Sequence, residues 1–229
     1  MTESGFSNGR LRLRRTMWIG LILLCVIAAG AAIRRITALA FPPRRSPPQI
    51  ASLDEAFAKR PALTLAHIVP ALLLVVLVPF QFSRSFRGRH IRIHRWMGRI
   101  IVSLGLVIGV SALALIRHPI GGATEVAAIL CFDGFFLLAL TKTFLYIRSG
   151  QVGLHREWVI RAMSVALGVA TVRPVMAIFF ATSRLTGLVP QDFFGIAFWI
   201  GFTLTYFAAE AWIRYTRVYS NSALSLSRL

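Results

Sequence analysis

The sequence predicts an all-α integral membrane protein, a bundle of six transmembrane helices forming one polytopic domain over 1–229. Three observations lead there. Of the 229 residues, 56% are hydrophobic and 15% charged, against roughly 45–50% and about 25% in soluble domains. The apolar residues fall in blocks long enough to cross a bilayer, which takes roughly 20 consecutive, mostly apolar residues. The blocks are continuous and lack the alternation of a membrane β-barrel.

The first block, 17–33, carries no charge and follows the basic tail 1–16 with Arg10, Arg12, Arg14 and Arg15. A basic start and Ala29-Gly30-Ala31 also suit a cleaved signal peptide. We read the block as an uncleaved first span, because several further spans follow it. A linker, 41–61, comes next; Pro42, Pro43, Pro47 and Pro48 forbid one continuous helix there. Within it Ser52-Leu53-Asp54-Glu55 has capping-box spacing, which predicts a short interfacial helix starting at Ser52.

The second span lies between Arg60 and Arg84, the third between Arg99 and Arg117, and the fourth over about 123–147. The fifth covers about 158–182 and the sixth lies between Asp192 and Arg214. Gly105 and Gly109, and Ala162, Ala166 and Ala170, recur four apart, a spacing that lets helices approach closely in lipid.

The formal net charge is +18. In a soluble chain that would suggest nucleic acid, but basic residues also flank membrane spans and set their orientation. We therefore expect the lipid bilayer and its anionic headgroups as partners, and no nucleic acid. With the N-terminus inside, inner segments hold fourteen Lys and Arg against eight outside. The expected location is a bacterial inner membrane with both termini cytoplasmic. Cys25 and Cys131 lie in apolar blocks and suggest neither a disulfide nor a metal site. No phosphate loop, Cys-x-x-Cys, His-Glu-x-x-His or Gly-x-Ser-x-Gly is present, so no motif marks an enzyme.

Ionisable groups within spans carry the functional hypotheses. Asp133 and Arg173 lie at similar depth in the fourth and fifth spans and are candidates for a buried ion pair. Lys142 and Glu210 both lie near the inner face, where they would pair or reach to the headgroups. A weak repeat places Ile93-His94-Arg95-Trp96 before Arg99 and Leu154-His155-Arg156-Glu157-Trp158 before Arg161. Both histidines thus open spans on the inner side. Facing imidazoles on neighbouring helices are what axial haem ligation requires. The candidate cofactor-binding residues are His94 and His155, with His67 in the second span, and with Arg99 and Arg161, together with Arg95 and Arg156, to meet haem propionates; the candidate cofactor is haem b. The same residues would also serve as interfacial anchors gripping lipid phosphate, in a small-solute carrier or accessory subunit.

Leu154-His155-Arg156-Glu157-Trp158-Val159-Ile160-Arg161, with Ala170-Thr171-Val172-Arg173, resembles the signature of the predicted membrane protein family called domain of unknown function 2306. Ala66-His67, Phe80-Gln81-Phe82 and His94-Arg95-Trp96-Met97-Gly98-Arg99 are also similar to that family. The resemblance covers roughly 60–182. Val159 stands where the family usually has Met, an apolar exchange. The resemblance implies a multi-pass membrane protein and no established activity. The span arrangement is also similar to dihaem transmembrane cytochromes b that use ascorbate-type donors, which place inner-side histidines on their third and fifth spans. This chain has no histidine within its fourth span, so that likeness does not extend to a second, outer haem.

Overall fold

A computed structural model describes residues 3–43 and 47–226, with side chains except at 3–10, 49 and 218–226. Arg44 and Arg45 of the linker, Arg228 and the chain end at Leu229 lie outside the described residues. Eight helices follow in order: α1 Glu3–Ala40, α2 Pro48–Ala58, α3 Pro61–Phe82, α4 Arg84–Arg89, α5 Ile91–Leu115, α6 Gly122–Arg148, α7 Val152–Thr186 and α8 Pro190–Leu226. Six of them, α1, α3, α5, α6, α7 and α8, are long and apolar enough to cross a membrane. No strand occurs among the described residues.

Helix ends follow local chemistry. Pro48 and Pro61 stand at the starts of α2 and α3, where a missing N–H costs no helical hydrogen bond. Gly187 closes α7 in the left-handed conformation at φ 71°. Its N–H donates to the Ser183 carbonyl at 2.9 Å. The outer loop before α6 is fixed by Glu125, whose Oε2 accepts from the Ile120 N–H at 2.6 Å and the Gly121 N–H at 2.7 Å. Asp192 accepts from the Val189 N–H at 2.9 Å and so organises the start of α8.

Two of these helices, α1 and α5, extend beyond the charge-free blocks. α1 continues through Arg34 and Arg35, and α5 begins eight residues before Arg99. Both extensions carry arginines on turns that leave the hydrocarbon, where a helix no longer needs to be apolar. The capping box is not used: α2 begins at Pro48 with Pro47 as its cap, and Ser52 lies inside the helix. Asp54 and Glu55 serve other partners, Asp54 binding Arg34 and Arg35 and Glu55 pairing with Lys59 at 3.2 Å.

Four helices form a ring. α3 packs on α5, α5 on α6, α6 on α7, and α7 touches α3. In that ring α5 and α7 are diagonal partners, as are α3 and α6. α1 covers the α3–α7 side, and α8 packs in the angle between α6 and α7. The inner part of the core holds Leu74, Val78, Ile101, Leu140, Met163 and Leu167. An aromatic cluster of Leu53, Phe193, Phe194 and Met176, with Phe179 and Phe180 against it, fills the outer end.

α2 is clasped to the outer end of α1. Arg34 donates to both carboxylate oxygens of Asp54, at 2.9 and 2.7 Å, and Arg35 donates to the same group. The Arg35 guanidinium also lies 4.1 Å over the Phe57 ring. Burial alone would push the Asp54 carboxyl up, but the hydrogen bonds and charges of Arg34 and Arg35 outweigh it and hold it below the usual carboxylate range. A carboxyl depressed on folding stabilises the clasp in full above its unfolded pKa; that contribution declines once pH falls below the unfolded value and is gone when pH has passed the lower folded value. Protection of α2 amides in hydrogen exchange, corrected for intrinsic rate, should therefore be unchanged between neutral pH and the ordinary carboxylate range. Asp54→Asn should lower it about tenfold throughout. Wild-type protection should then fall as pH drops through the ordinary carboxylate range and below it, and protection that stays level there would show that the arginines do not govern this group.

Candidate functional site

The end of the four-helix ring where α3 and α6 finish and α5 and α7 begin gathers one polar residue from each helix. Gln81 stands one residue from the end of α3, His94 is the fourth residue of α5, Thr143 lies near the end of α6, and His155 is the fourth residue of α7. The Nδ1 of His155 lies 2.9 Å from the Thr143 carbonyl, a bond that fixes Nδ1 as the protonated nitrogen and leaves Nε2 with a free lone pair. A methyl group added at Gly98 would lie 3.1 Å from the Gln81 amide nitrogen, so the Gln81 side chain rests against α5 one turn after His94. His94 and His155 are within electrostatic reach of each other.

This layer has unfilled hydrogen-bonding capacity. The Nδ1 of His94, Oε1 of Gln81 and Oγ1 of Thr143 are all buried without a partner. Buried polar atoms are paired in the large majority of cases, and an unpaired one costs about 1–3 kcal/mol. Three such atoms lie in this one layer of the bundle.

Positive charge surrounds that layer on its inner side. Arg87 and Arg95 lie within electrostatic reach of His94. Arg84, outside the spans, is pushed down from its ordinary pKa by burial and by the charges of Arg14, Arg156 and Arg87. Arginines from α1, α4, α5 and α7 thus converge on one side of the histidine pair.

The other expected site residues lie elsewhere. His67 bonds the Ile108 carbonyl at 3.2 Å and the Ser111 hydroxyl at 3.0 Å, fastening α3 to α5. Ile108 lies 14 residues beyond His94 on α5, about 21 Å along the helix, so His67 stands apart from the inner pair. Arg99 is exposed, lies 4.8 Å over the Trp96 ring and points away from the ring of helices. The two line a shallow groove of about 320 Å³ with Ile100, Ser103, Leu104 and Val107. Arg161 is already neutralised: it donates to Glu210 at 2.5 and 3.3 Å and lies 3.7 Å from Glu157. Glu157 in turn binds Arg217 through both oxygens. Neither Arg99 nor Arg161 is therefore placed to meet a carboxylate near the histidines. Glu210 takes Arg161 as its partner rather than Lys142.

Asp133 and Arg173 form no ion pair among the described residues. Asp133 points at α5, where a methyl group at Gly109 would lie 3.3 Å from its Oδ1, and its Oδ2 is buried without a partner. Arg173 points toward α1, within electrostatic reach of Arg34 and Arg35. Their depths match, but their directions around the helix axes differ.

Gln81, Thr143 and the Glu157–Arg217 link were not singled out by sequence reasoning. The Glu157-to-Arg161 spacing of four was a usable signal, since such residues neighbour each other on a helix. Arg217, 60 residues beyond Glu157, left none.

Fold and site together define a helical membrane protein of six candidate spans, with a polar, histidine-bearing layer at one end of a four-helix ring. The chain belongs to the family described as Predicted membrane protein (DUF2306), which matches residues 64–213. The match takes in most of α3, all of α4 to α7 and α8 as far as Ile213, and so extends past the 60–182 covered by the motifs. No curated protein and no solved structure matches the chain.

Proposed function

We propose that this is a redox protein of the bacterial inner membrane, binding haem b at the cytoplasmic end of the bundle between His94 and His155. One observation carries the reading: the two histidines stand on diagonal helices, α5 and α7, at the same fourth position, within electrostatic reach across the ring. Cofactor sites in helix bundles are built from facing side chains of this kind.

The donor set suits a porphyrin better than a bare ion. Among the described residues no group of three His, Cys, Asp or Glu is placed to hold a metal. A porphyrin supplies four ligands itself and asks the protein for two imidazoles. His155 would offer Nε2, with the Thr143 carbonyl holding its tautomer and ring plane. His94, whose Nδ1 has no partner, would complete the pair. Arg95 and Arg156, as expected from the sequence, would neutralise the propionates, with Arg87 in place of Arg99 and Arg161. Bound haem would supply one-electron chemistry. Glu157 and Glu210 hold Arg161 and Arg217 in place and keep α7 and α8 in register at the site.

Absorbance tests the reading. Protein purified from cells given a haem precursor should show a Soret band and a reduced-minus-oxidised difference spectrum. His94→Ala and His155→Ala should each abolish the difference spectrum while the protein still inserts. Colourless wild-type protein would return these residues to the alternative, lipid anchors in a carrier or accessory subunit. The cytoplasmic placement rests on the fourteen-to-eight basic bias. A reporter active only in the periplasm should be silent when fused at Ser149, and activity there would reverse the orientation.

A further inference from the structure

The outer end of the bundle carries more positive charge than its carboxylates can balance. Arg173 stands on α7 beside Val172 and Met176 of the outer aromatic cluster. Its Nε is buried without a partner, and it has no ion pair among the described residues. The nearest charges are other cations, Arg34 and Arg35. A half-buried guanidinium at membrane depth without a counter-charge is a costly arrangement for a membrane protein.

No carboxylate is left over for it. The chain has 8 Asp and Glu. Asp54 is shared by Arg34 and Arg35. Glu55 pairs with Lys59, Glu125 caps the loop at Ile120 and Gly121, and Asp192 caps Val189. Asp133 points at α5, Glu157 and Glu210 lie at the inner end, and Glu3 is at the far end of α1. Three guanidiniums thus share this end with one carboxylate, which Arg34 and Arg35 already hold. Beside Arg34 the surface opens into a groove of about 340 Å³ lined by Thr37, Ala38, Phe41 and Pro43. Its lining is apolar apart from Thr37 and Arg34.

We infer that Arg173, with Arg34 and Arg35, forms a binding site for a phosphate group at the outer end of the bundle, carried by a phospholipid headgroup or by a free phosphate solute. A phosphate offers several oxygens at once, so one group can accept from more than one guanidinium. The mostly apolar groove suits the glycerol and upper chain of a lipid. The site lies at the opposite end from the histidine layer and does not depend on a cofactor there.

Thermal unfolding of delipidated protein in a neutral detergent tests the inference. One arm adds dioleoylphosphatidylglycerol in mixed micelles, and the other adds sodium phosphate at ionic strength matched with chloride. A ligand that binds only the folded state raises its midpoint. We expect a saturable rise of at least about 3 °C in one arm. A rise with lipid alone assigns the phosphate to a headgroup, and a rise with phosphate assigns it to a solute. Arg173→Leu should weaken the response at least tenfold, yet should unfold no earlier than wild type when delipidated, because it removes an uncompensated charge. Arg173→Lys keeps the charge but loses the fork, and should fall between; it decides the matter if Arg173→Leu does not fold. The inference is overturned if neither arm moves the wild-type midpoint, or if the Arg173 variant keeps the full response.

Discussion

Glu210→Leu is expected to be among the most destabilising single substitutions in this protein, by about 3 kcal/mol in detergent unfolding. The change strands Arg161, whose side chain is 14% exposed and whose other carboxylate, Glu157, is 3.7 Å away and already bound to Arg217. Removing one member of a buried pair leaves the other desolvated and uncompensated. Replacing both with apolar residues removes the stranded charge as well. Arg161→Leu combined with Glu210→Leu should therefore recover most of the loss. A double variant no more stable than Glu210→Leu alone would mean that the two are not coupled, and that the α7–α8 register at the inner end is set by apolar packing.

Gly201→Val should disrupt the bundle outright. A methyl group at Gly201 of α8 would lie 2.7 Å from the Val172 nitrogen and 2.9 Å from its Cα. Those are backbone atoms of α7, which no rotamer change can move aside. Gly168 of α7 faces the Phe202 side chain and backbone across the same seam. Overpacking costs about 1–3 kcal/mol where side chains can adjust, and more where they cannot. Gly201→Ala should cost close to the upper figure, and Gly201→Val should leave little monodisperse protein on size exclusion. Gly134 of α6 is the control. A methyl group there meets nothing within 4 Å, so Gly134→Ala should be neutral or gain up to about 1 kcal/mol. Equal losses at Gly201 and Gly134 would show that helix propensity, rather than close approach, governs both.

The spans were legible because a hydrocarbon core demands apolar runs, and such runs need no alignment to be seen. Their ends were less so. The turns of α5 around His94 and Arg95 and of α1 around Arg34 and Arg35 are helical but polar, and hydropathy does not distinguish a polar helical turn from a loop. Depth within the bundle was readable from residue counts at about 1.5 Å per residue. Direction was not: each residue turns about 100° around the axis, and only packing says which neighbour it meets. Asp133 and Arg173 match in depth and face different helices. Lys142 and Glu210 match in depth, yet Glu210 meets Arg161. The matching positions of His94 and His155, each the fourth residue of its helix, were legible because the repeat sets both helix starts alike.

α7 has 35 residues, about 52 Å of helix against roughly 30 Å of hydrocarbon. It touches α1, α3, α6 and α8. Pro174 lies within it, and a proline withholds the N–H that would bind the carbonyl of Ala170. The chain is thus softest next to Arg173 and stiff below it, down to His155, 18 residues or about 27 Å away. The lower segment is a lever arm with its fulcrum at the outer end. A change of bend of about 5° at the proline sweeps the histidine end through roughly 2 Å, as far as a ligand bond is long. On the readings proposed above, a phosphate group held at Arg173 would lie at the fulcrum of the arm that carries His155.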